Sequence, residues 1–382
     1  MIYFDHNAST PVRPEAAAAL QAALAGLHAN PSSAHREGQR ARAAIERARE
    51  QVGALVGARP DEVVFTSGGT EGDHVALIGA AWAAEPRGRR IAISALEHHA
   101  IHGAAAVLER HGWAVEHLPA DADGRIDPAA IESLPTDTTV VAVMLANNET
   151  GVIQPLAEIA RRATARGLRV VCDAVQAAGK IPVRRETLDA DYLVISGHKF
   201  GGPKGAGALI VGAAAPLEPL FRGSAQERGR RGGTENLPGI VALGAAAAAA
   251  ARDLEAEHQR LLELRARLES GVRAALPDAV VHGAAAPRLP NTVNLSIPGA
   301  RSDHMLMALD ARGVAVSAGA ACASGAVEPS PVLSAMGVPR ELAVCALRLS
   351  MGRDTTAAEV DAVVEALTAA ATMARAVTAG AR

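Results

Sequence analysis

Lysine is nearly missing from this chain of 382 residues: of its 38 Lys and Arg residues, only Lys180, Lys199 and Lys204 are lysines. All three fall within one short window, residues 180–204. Arginine is effectively never deprotonated in a protein, whereas a desolvated lysine can lose its proton and act as a base or form a Schiff base. Either the lysines cluster by chance, or one of them performs chemistry that arginine cannot perform.

Several other features are scarce, and each scarcity excludes a class of protein. Three widely separated cysteines without a C-x-x-C pair exclude a disulfide framework and a zinc ribbon, and we expect no metal site. A net charge of −3 gives no basic field for direct nucleic-acid binding. The first residues lack the pattern of a signal peptide, and the Ala-rich tract 244–254 is too short for a membrane span. We therefore expect a cytoplasmic protein that does not bind membranes.

Aromatic residues make up only 2% of the chain, so its core must consist mainly of Ala, Val, Leu and Ile. Short β-branched runs alternate with helix-length segments such as 70–84, 99–111 and 155–166. Nearly continuous apolar runs are typical of strands buried on both faces, and this alternation predicts an α/β fold with a mostly parallel sheet flanked by helices. The predicted strands are "EVVFTS", "RIAIS", "VVAVMLAN", "LRVVCDA", "YLVIS" and "GALIV".

The pattern changes after about residue 238. A long Ala/Leu/Arg/Glu segment predicts one extended helix or two over 238–275, and further helices are expected at 302–312 and 356–375. Short apolar runs lie between them, which is typical of a smaller α+β unit. We predict a large domain of residues 15–255 and a small domain formed by residues 1–14 and 256–382.

Polar side chains follow five of the predicted strands, at the points where these strands end. Because ligands of such sheets bind outside the carboxyl ends of the strands, we expect these side chains to converge on one edge. They are Thr70, His98, Asn148, Asp173, Gln176, Ser196, His198 and Lys199.

Three of these signals together are typical of a pyridoxal phosphate site. The turn "TSGGTE" with Gly69 and Thr70 favours a phosphate at a helix N-terminus, although a simple helix cap is the alternative. It has neither dinucleotide-fold nor P-loop spacing. Asp173 ends a buried strand and needs a partner, which is a ring nitrogen, an arginine or a backbone cap. Lys199 follows the next strand and is suited to a Schiff base.

The chain resembles the cysteine desulfurases of the NifS/IscS type, which are fold-type-I pyridoxal phosphate enzymes. The resemblance runs nearly from end to end and is specific, because long motifs occur in order. They include "YFDHNASTP" (3–11), "NPSSAHREGQRA" (30–41), "FTSGGTE" (65–71), "ANNETGVIQP" (146–155), "DAVQAAGK" (173–180), "SGHKFGGPKG" (196–205), "QERGRRGGTEN" (226–236), "SAGAACASG" (317–325) and "LRLSMGR" (347–353).

The resemblance implies a role for each site residue. Lys199 would form the Schiff base and move the α-proton, Asp173 would keep the pyridine nitrogen protonated, and Gln176 would bind the phenolic oxygen. His98 would stack on the ring and serve in proton transfer, and Asn148 would lie near the ring and the substrate. The remaining cofactor contacts would be to phosphate, from Gly69, Thr70, Ser196, His198 and, in a homodimer, Thr234 of the neighbouring subunit.

Cys322 would be the nucleophile, and the segment "CASGAVEPSPVL" resembles the longer loop of family members that pass sulfur directly to partners. We therefore expect a mobile loop there. The alternative is a small core cysteine, which is our interpretation of Cys172 and Cys345. Arg348 is suited to a bidentate grip on the substrate carboxylate, with a structural ion pair as its alternative. Lys180 and Lys204 are interpreted as structural or surface residues.

The function implied by the resemblance is conversion of L-cysteine to L-alanine with a persulfide left on Cys322. The sulfur acceptor would be a protein such as an iron–sulfur scaffold or a tRNA-thiolation enzyme. Two enzymatic alternatives stay open, a selenocysteine lyase and another fold-type-I aminotransferase. A non-catalytic docking protein would be expected to lack Lys199, Asp173 or Cys322, and all three are present.

Overall fold

A computed structural model describes residues 1–318 and 328–380, and Cys322 with its predicted mobile loop lies outside these residues. Within them the chain forms twelve strands and eleven α-helices. The strands are β1 (Ile2–Tyr3), β2 (Val63–Thr66), β3 (Arg90–Ser94), β4 (Ala114–Leu118), β5 (Thr138–Ala142), β6 (Arg169–Asp173), β7 (Tyr192–Ser196), β8 (Gly207–Val211), β9 (Val280–Val281), β10 (Thr292–Ser296), β11 (Val314–Ala315) and β12 (Ala346–Ser350). The helices are α1 (Pro14–Gly26), α2 (Arg36–Val56), α3 (Gly69–Ala84), α4 (His99–Arg110), α5 (Leu156–Ala165), α6 (Arg185–Leu188), α7 (Leu237–Ala275), α8 (Ser302–Asp310), α9 (Pro331–Ala335), α10 (Arg340–Ala343) and α11 (Ala357–Gly380).

Seven strands form the central sheet, in the order β2-β8-β7-β6-β5-β3-β4. All neighbours pair in parallel except β8, which runs antiparallel to both β2 and β7. This confirms the predicted α/β fold with a mostly parallel sheet. The edge strand β4 was not predicted, because its sequence AVEHL carries Glu116 and His117 and lacks a continuous apolar run. One reversed strand leaves six strands pointing the same way, so their carboxyl ends share one edge.

Helix α3 lies very close to the sheet, and a glycine makes this possible. A Cβ atom added to Gly72 would stand 2.6 Å from Val194 Cγ1 on β7, so any larger residue would push the helix away. The close approach holds the N-terminus of α3 beside the end of β7. Two segments that are far apart in sequence, 67–71 and 196–199, are thereby brought together at the shared edge.

A second sheet, in the order β12-β10-β9, is antiparallel and has its own hydrophobic cluster. Leu261, Leu264 and Leu268 of α7 contribute to that cluster, whereas the first half of α7 belongs to the core around the large sheet. By length and composition α7 resembles a membrane span, but 56% of its most apolar stretch is buried within the protein. The first core also takes in Leu289, Val332 and Leu333 from the last third of the chain, and the predicted division near residue 255 stays a prediction.

The first residues of the chain run between the two sheets. Strand β1 pairs in parallel with β11, and Asp5 forms an isolated bridge with Ser350 at the end of β12. Farther along, the amide of Thr10 donates to the carbonyl of His198 at 3.0 Å. We call residues 2–13 the N-terminal segment. It contacts both the small core and the loop that carries Lys199.

Candidate active site

A cavity of about 350 Å³ opens at the carboxyl edge of the large sheet. Because β2, β3, β5, β6 and β7 point the same way, the side chains that follow them reach this one place. All eight residues expected at the strand ends line the cavity, and Gly69 and Arg348 join them. Thr234 lines a separate concavity instead, and Cys322 lies in the segment that is not described.

The N-terminus of α3 forms one end of the cavity, with Gly69, Thr70 and Ser196 in its wall. No side chain among the described residues caps this helix, because the cap position is Gly68. Glu71 in the first turn accepts from the amide of Ser67 at 2.9 Å and from Arg231 Nε at 2.8 Å. The negative charge of Glu71 is therefore paired with an arginine, and the helix N-terminus remains suited to an anion.

Three carboxyl groups are buried together beside the cavity. Asp173 Oδ1 accepts from the amide of Val175 at 2.8 Å, and burial raises its pKa to about 6. Glu97 Oε1 accepts from the amide of Met144 at 2.7 Å, and burial raises its pKa to about 8. Burial and the negative charges of Asp173 and Glu97 raise the pKa of Asp73 well above its usual range. The backbone cap at Asp173 is thus present, yet this negative site would still be stabilised by a cation.

Lys199 sits in the turn directly after β7 and lines the cavity. Its Nζ donates to the carbonyl of Asn7 at 2.6 Å and to that of Ala8 at 3.0 Å. Burial, assisted by the positive charge of Arg348, lowers its pKa to about 8. A lysine with this pKa is deprotonated far more often near neutral pH than an ordinary lysine, and the neutral amine is the form that a base or nucleophile requires.

His98 is the N-cap residue of α4, and its Nδ1 accepts from the amide of Ala100 at 3.1 Å. An accepting Nδ1 leaves the proton of the neutral ring on Nε2. Burial and the charge of Lys199 lower the pKa of His98 to about 4, so the ring is uncharged at neutral pH. The same two causes lower the pKa of His198 to about 4.

Arg348, on β12, connects the small sheet to the cavity. Its Nη2 forms an ion pair with Asp5 Oδ1 at 2.7 Å, and its Nη1 donates to the carbonyl of Asn148 at 3.2 Å. Its buried Nε has no hydrogen-bond partner among the described residues. The structural ion pair weighed as an alternative is therefore present, and the buried Nε keeps an N–H that no described group accepts.

Two residues at the site were missed in the sequence. Asn7 is 1% exposed, and its carbonyl accepts from Gln176 Nε2 at 2.9 Å as well as from Lys199. Lys180 is 8% exposed, and its Nζ donates to Gln176 Oε1 at 2.7 Å and to Asn7 Oδ1 at 3.0 Å. Of the two interpretations given for these lysines, the structural one therefore applies to Lys180 and the surface one to Lys204. The sequence signals for Lys180 were its place in the cluster of three lysines and its position four residues after Gln176.

The segment that carries Thr234 is anchored outside the cavity. Glu227 adopts a left-handed backbone conformation with φ 47°, and its carboxylate is held by Arg49 at 2.8 and 3.0 Å. It also accepts from the amide of Phe65 at 3.0 Å. Thr234 itself is exposed and stands away from the cavity of its own chain. Cys172 and Cys345 are buried, as expected, and burial raises the pKa of both thiols.

Comparison with known proteins places these features in a family context. The model of the family "Aminotransferase class-V" matches residues 2–363. A cysteine desulfurase of Trichormus azollae is 44% identical over 96% of this chain and 92% of its own length. The cysteine desulfurase IscS of Dictyoglomus turgidum is 40% identical over 96% and 93%. A solved NifS-like protein superposes with a TM-score of 0.91 at 34% identity, covering 97% of this chain and 99% of its own.

Proposed function

This chain belongs to the aminotransferase class-V family and, within it, to the cysteine desulfurases, and we propose that the cavity residues convert L-cysteine to L-alanine. The observation that carries the residue assignment is Lys199, an amine with a pKa of about 8, lining one cavity with the buried Asp173. In the reaction the Cys322 thiolate attacks the sulfur of cysteine and the substrate's carbon–sulfur bond breaks. The β-carbon keeps the electron pair and takes up a proton, and Cys322 holds the persulfide.

The residues present fit pyridoxal phosphate as the cofactor. The uncapped N-terminus of α3, with Gly69 and Thr70, together with Ser196 and His198, would hold the phosphate. Asp173 is buried in a cluster of carboxyl groups and would be stabilised by a protonated ring nitrogen beside it. Gln176 would donate to the phenolic oxygen. When bound, the cofactor supplies an electron sink that stabilises negative charge on the substrate's α-carbon.

Lys199 and His98 have complementary proton chemistry in this proposal. Lys199 takes the α-proton as a neutral amine and returns a proton as an ammonium group, which its pKa of about 8 permits near neutral pH. His98 keeps a proton on Nε2 without carrying charge, because its pKa is about 4 and its Nδ1 is occupied by the amide of Ala100. It is suited to donate that proton to a group beside the ring.

Arg348 would bind the substrate carboxylate, and Asn148 would lie against the same substrate. The free Nε of Arg348 and its Nη2 lie on one edge of the guanidinium, which suits two parallel hydrogen bonds to a carboxylate. Asp5 Oδ1 lies 2.7 Å from Nη2. A substrate carboxylate that replaces Asp5 would compensate the guanidinium charge in the same way and would satisfy Nε as well.

A homodimer would complete the site, with Thr234 of one subunit reaching the phosphate of the other. Thr234 is exposed, stands outside its own cavity and belongs to a segment anchored by the Arg49–Glu227 pair, which supports this assignment. We further propose a large domain of residues 15–255 and a small domain of residues 1–14 and 256–382. The enzyme would work in the cytoplasm and pass sulfur to an iron–sulfur scaffold or a tRNA-thiolation enzyme.

The test is the absorbance spectrum of the purified protein supplied with pyridoxal phosphate, followed by measurement of alanine and sulfide after addition of L-cysteine and a dithiol that reduces the persulfide. We expect a visible absorption band and equal amounts of alanine and transferred sulfur. Cys322→Ser should keep the band and lose desulfuration, whereas Cys345→Ser should keep both. A fully active Cys322→Ser variant would show that the nucleophile is assigned wrongly.

A further inference from the structure

We propose that Lys180 is a positioning residue of this site: its buried amine fixes the amide of Gln176 so that nitrogen, not oxygen, is offered to the bound ligand. This inference rests on the proposed function, because the ligand atom concerned is the phenolic oxygen of pyridoxal phosphate. Lys180 itself contacts Gln176 and Asn7 and would act on the ligand only through them.

The hydrogen bonds determine which end of the Gln176 amide is which. The carbonyl oxygen of Asn7 can only accept, so the Gln176 atom 2.9 Å from it must be Nε2. The Lys180 amine, 2.7 Å from the other end, donates to Oε1. Since a primary amide nitrogen has two N–H groups, one remains for a ligand after the bond to Asn7 is made. Gln176 lines the cavity, where that N–H can meet an acceptor.

Lys180 satisfies this arrangement with the donors of a neutral amine. Its two acceptors, Gln176 Oε1 and Asn7 Oδ1, match the two N–H groups of an uncharged –NH₂. Burial, together with the positive charges of Lys199 and Arg348, lowers its pKa well below the usual range of lysine. Arginine is too large and too strongly charged to make the same two contacts in this interior. This is a second reason, besides the Schiff base, for a lysine in an arginine-rich chain.

The surroundings of Lys180 leave room for one further partner. Its side chain borders a second cavity, of about 40 Å³, which is enough for one water molecule. The ionisable groups around this cavity, apart from Lys199 and Lys180, are His6, Arg13, Glu257, Arg353 and Asp354. Of these, Arg13 pairs with Glu257 at 2.9 Å and Arg353 with Asp354 at 3.0 Å. The carboxylates are thus engaged by arginines, and the described contacts of the Lys180 amine are to neutral amide oxygens.

Loss of the Lys180 amine would act on the cofactor through a chain of hydrogen bonds. Gln176 Oε1 would be left buried without its donor, and the amide would lose one of the two contacts that orient it. A donor to Oε1 also strengthens donation from Nε2 in the same amide, because hydrogen bonds in a chain polarise one another. Without this donation from Gln176, the phenolic oxygen of the bound cofactor would be more basic and the visible band would titrate at a higher pH.

The experiment compares Lys180→Met with Lys204→Met in protein loaded with pyridoxal phosphate. The absorbance of the visible band is measured as a function of pH, and the pH at the midpoint of the absorbance change is recorded. We expect Lys180→Met to raise this midpoint by about one pH unit, the size of one hydrogen bond to a charged group. Lys204→Met removes an exposed lysine and should leave the midpoint at the wild-type value. An unchanged midpoint in Lys180→Met would overturn the inference.

A double-mutant cycle separates positioning from a direct effect. If Lys180 acts through Gln176, then Lys180→Met should cause no further shift once Gln176→Ala is present. Additive shifts would show that Lys180 acts on the cofactor by another route and would contradict the proposal. Wild-type protein that binds no pyridoxal phosphate, or forms no alanine from cysteine, would instead refute the proposed function.

A measurement on protein with Lys180 intact guards against a variant that fails to fold. Lysine labelled with ¹³C at Cε gives only three signals, because the chain has three lysines. The Lys204 signal is identified by its loss in Lys204→Met, and the Lys199 signal by its change on cofactor binding. In the cofactor-free protein Gln176→Ala should shift the Lys180 signal and leave that of Lys204 in place. A Lys180 signal that does not respond would overturn the inference independently.

Discussion

Glu227 and the three carboxyl groups beside the cavity are all buried, but they differ in their hydrogen-bond and ion-pair partners. Glu227 accepts from Nη1 and Nη2 of Arg49 at 2.8 and 3.0 Å and from the amide of Phe65. Asp73, Glu97 and Asp173 lie together beside the cavity, and Asp73 Oδ1 and Glu97 Oε2 have no hydrogen-bond partner among the described residues. The satisfied carboxylate stabilises a segment with a left-handed backbone. The three carboxyl groups beside the cavity lack such a partner, and a cationic ligand would stabilise their ionised form.

The largest effect is expected for Lys199→Ala, which tests whether the cavity beside the three carboxyl groups is the place where the chemistry occurs. We expect alanine formation from cysteine to fall at least about a thousandfold, because both covalent attachment and proton transfer are lost. The visible band of the cofactor-loaded protein should change as well. Lys204→Ala is the matched control and should have wild-type activity. A Lys199→Ala variant with substantial turnover would show that this amine does not perform the chemistry of the cavity.

Arg49→Ala tests whether the buried ion pair between Arg49 and Glu227 stabilises the fold. Removal of the guanidinium leaves the Glu227 carboxylate buried without a cation, and we expect the free energy of unfolding to fall by about 3–5 kcal/mol. Denaturant unfolding of the cofactor-free protein measures this. Arg49→Met combined with Glu227→Leu should be less destabilised than Arg49→Ala alone, since no unpaired charge remains. If Arg49→Ala unfolds at the wild-type denaturant concentration, the pair does not stabilise the fold.

Asp173→Asn should separate stability from activity. The folded state keeps the proton of Asp173 up to a pKa of about 6, whereas the unfolded state loses it near 3.8, so wild-type stability falls as pH rises between these values. Above pH 6 the cofactor-free variant should therefore be more stable than wild type, by about 1–3 kcal/mol, and should be equally stable below pH 4. It should also lose most of its activity. Glu227→Gln is the counterpart and should lose stability at neutral pH.

The smallest effect is expected at an exposed ion pair. Arg267 and Asp361 join α7 to α11 through two hydrogen bonds of 2.7 and 2.6 Å, and both side chains are more than half exposed. Solvent screens such a pair, so Arg267→Ala should leave the unfolding midpoint unchanged within error. A clear decrease in the unfolding midpoint would mean that this exposed ion pair stabilises the fold as a buried pair does. Burial would then not explain the larger effect expected for Arg49→Ala.

Much of the site was predictable, because buried parallel strands are continuous apolar runs and the polar residues that follow them must lie at one edge. That argument located Asp173 and Lys199 at the same cavity. It could not locate Asn7 or Lys180, whose environment is created by contacts between segments far apart in the chain. Strand β4 was missed because an edge strand can carry charged residues such as Glu116. Relative domain positions and partner contributions such as that of Thr234 likewise depend on packing and not on local pattern.

The N-terminal segment has a consequence for how this enzyme is made. The amide of Asn7 donates to Ser350 Oγ at 2.9 Å, across 343 positions of sequence, and the same residue receives the bonds of Lys199 and Gln176. During translation Asn7 emerges early and cannot make this contact until residue 350 has left the ribosome. The catalytic pocket is therefore among the last parts of the molecule to mature, and we expect nascent chains that end before β12 to capture the vitamin poorly.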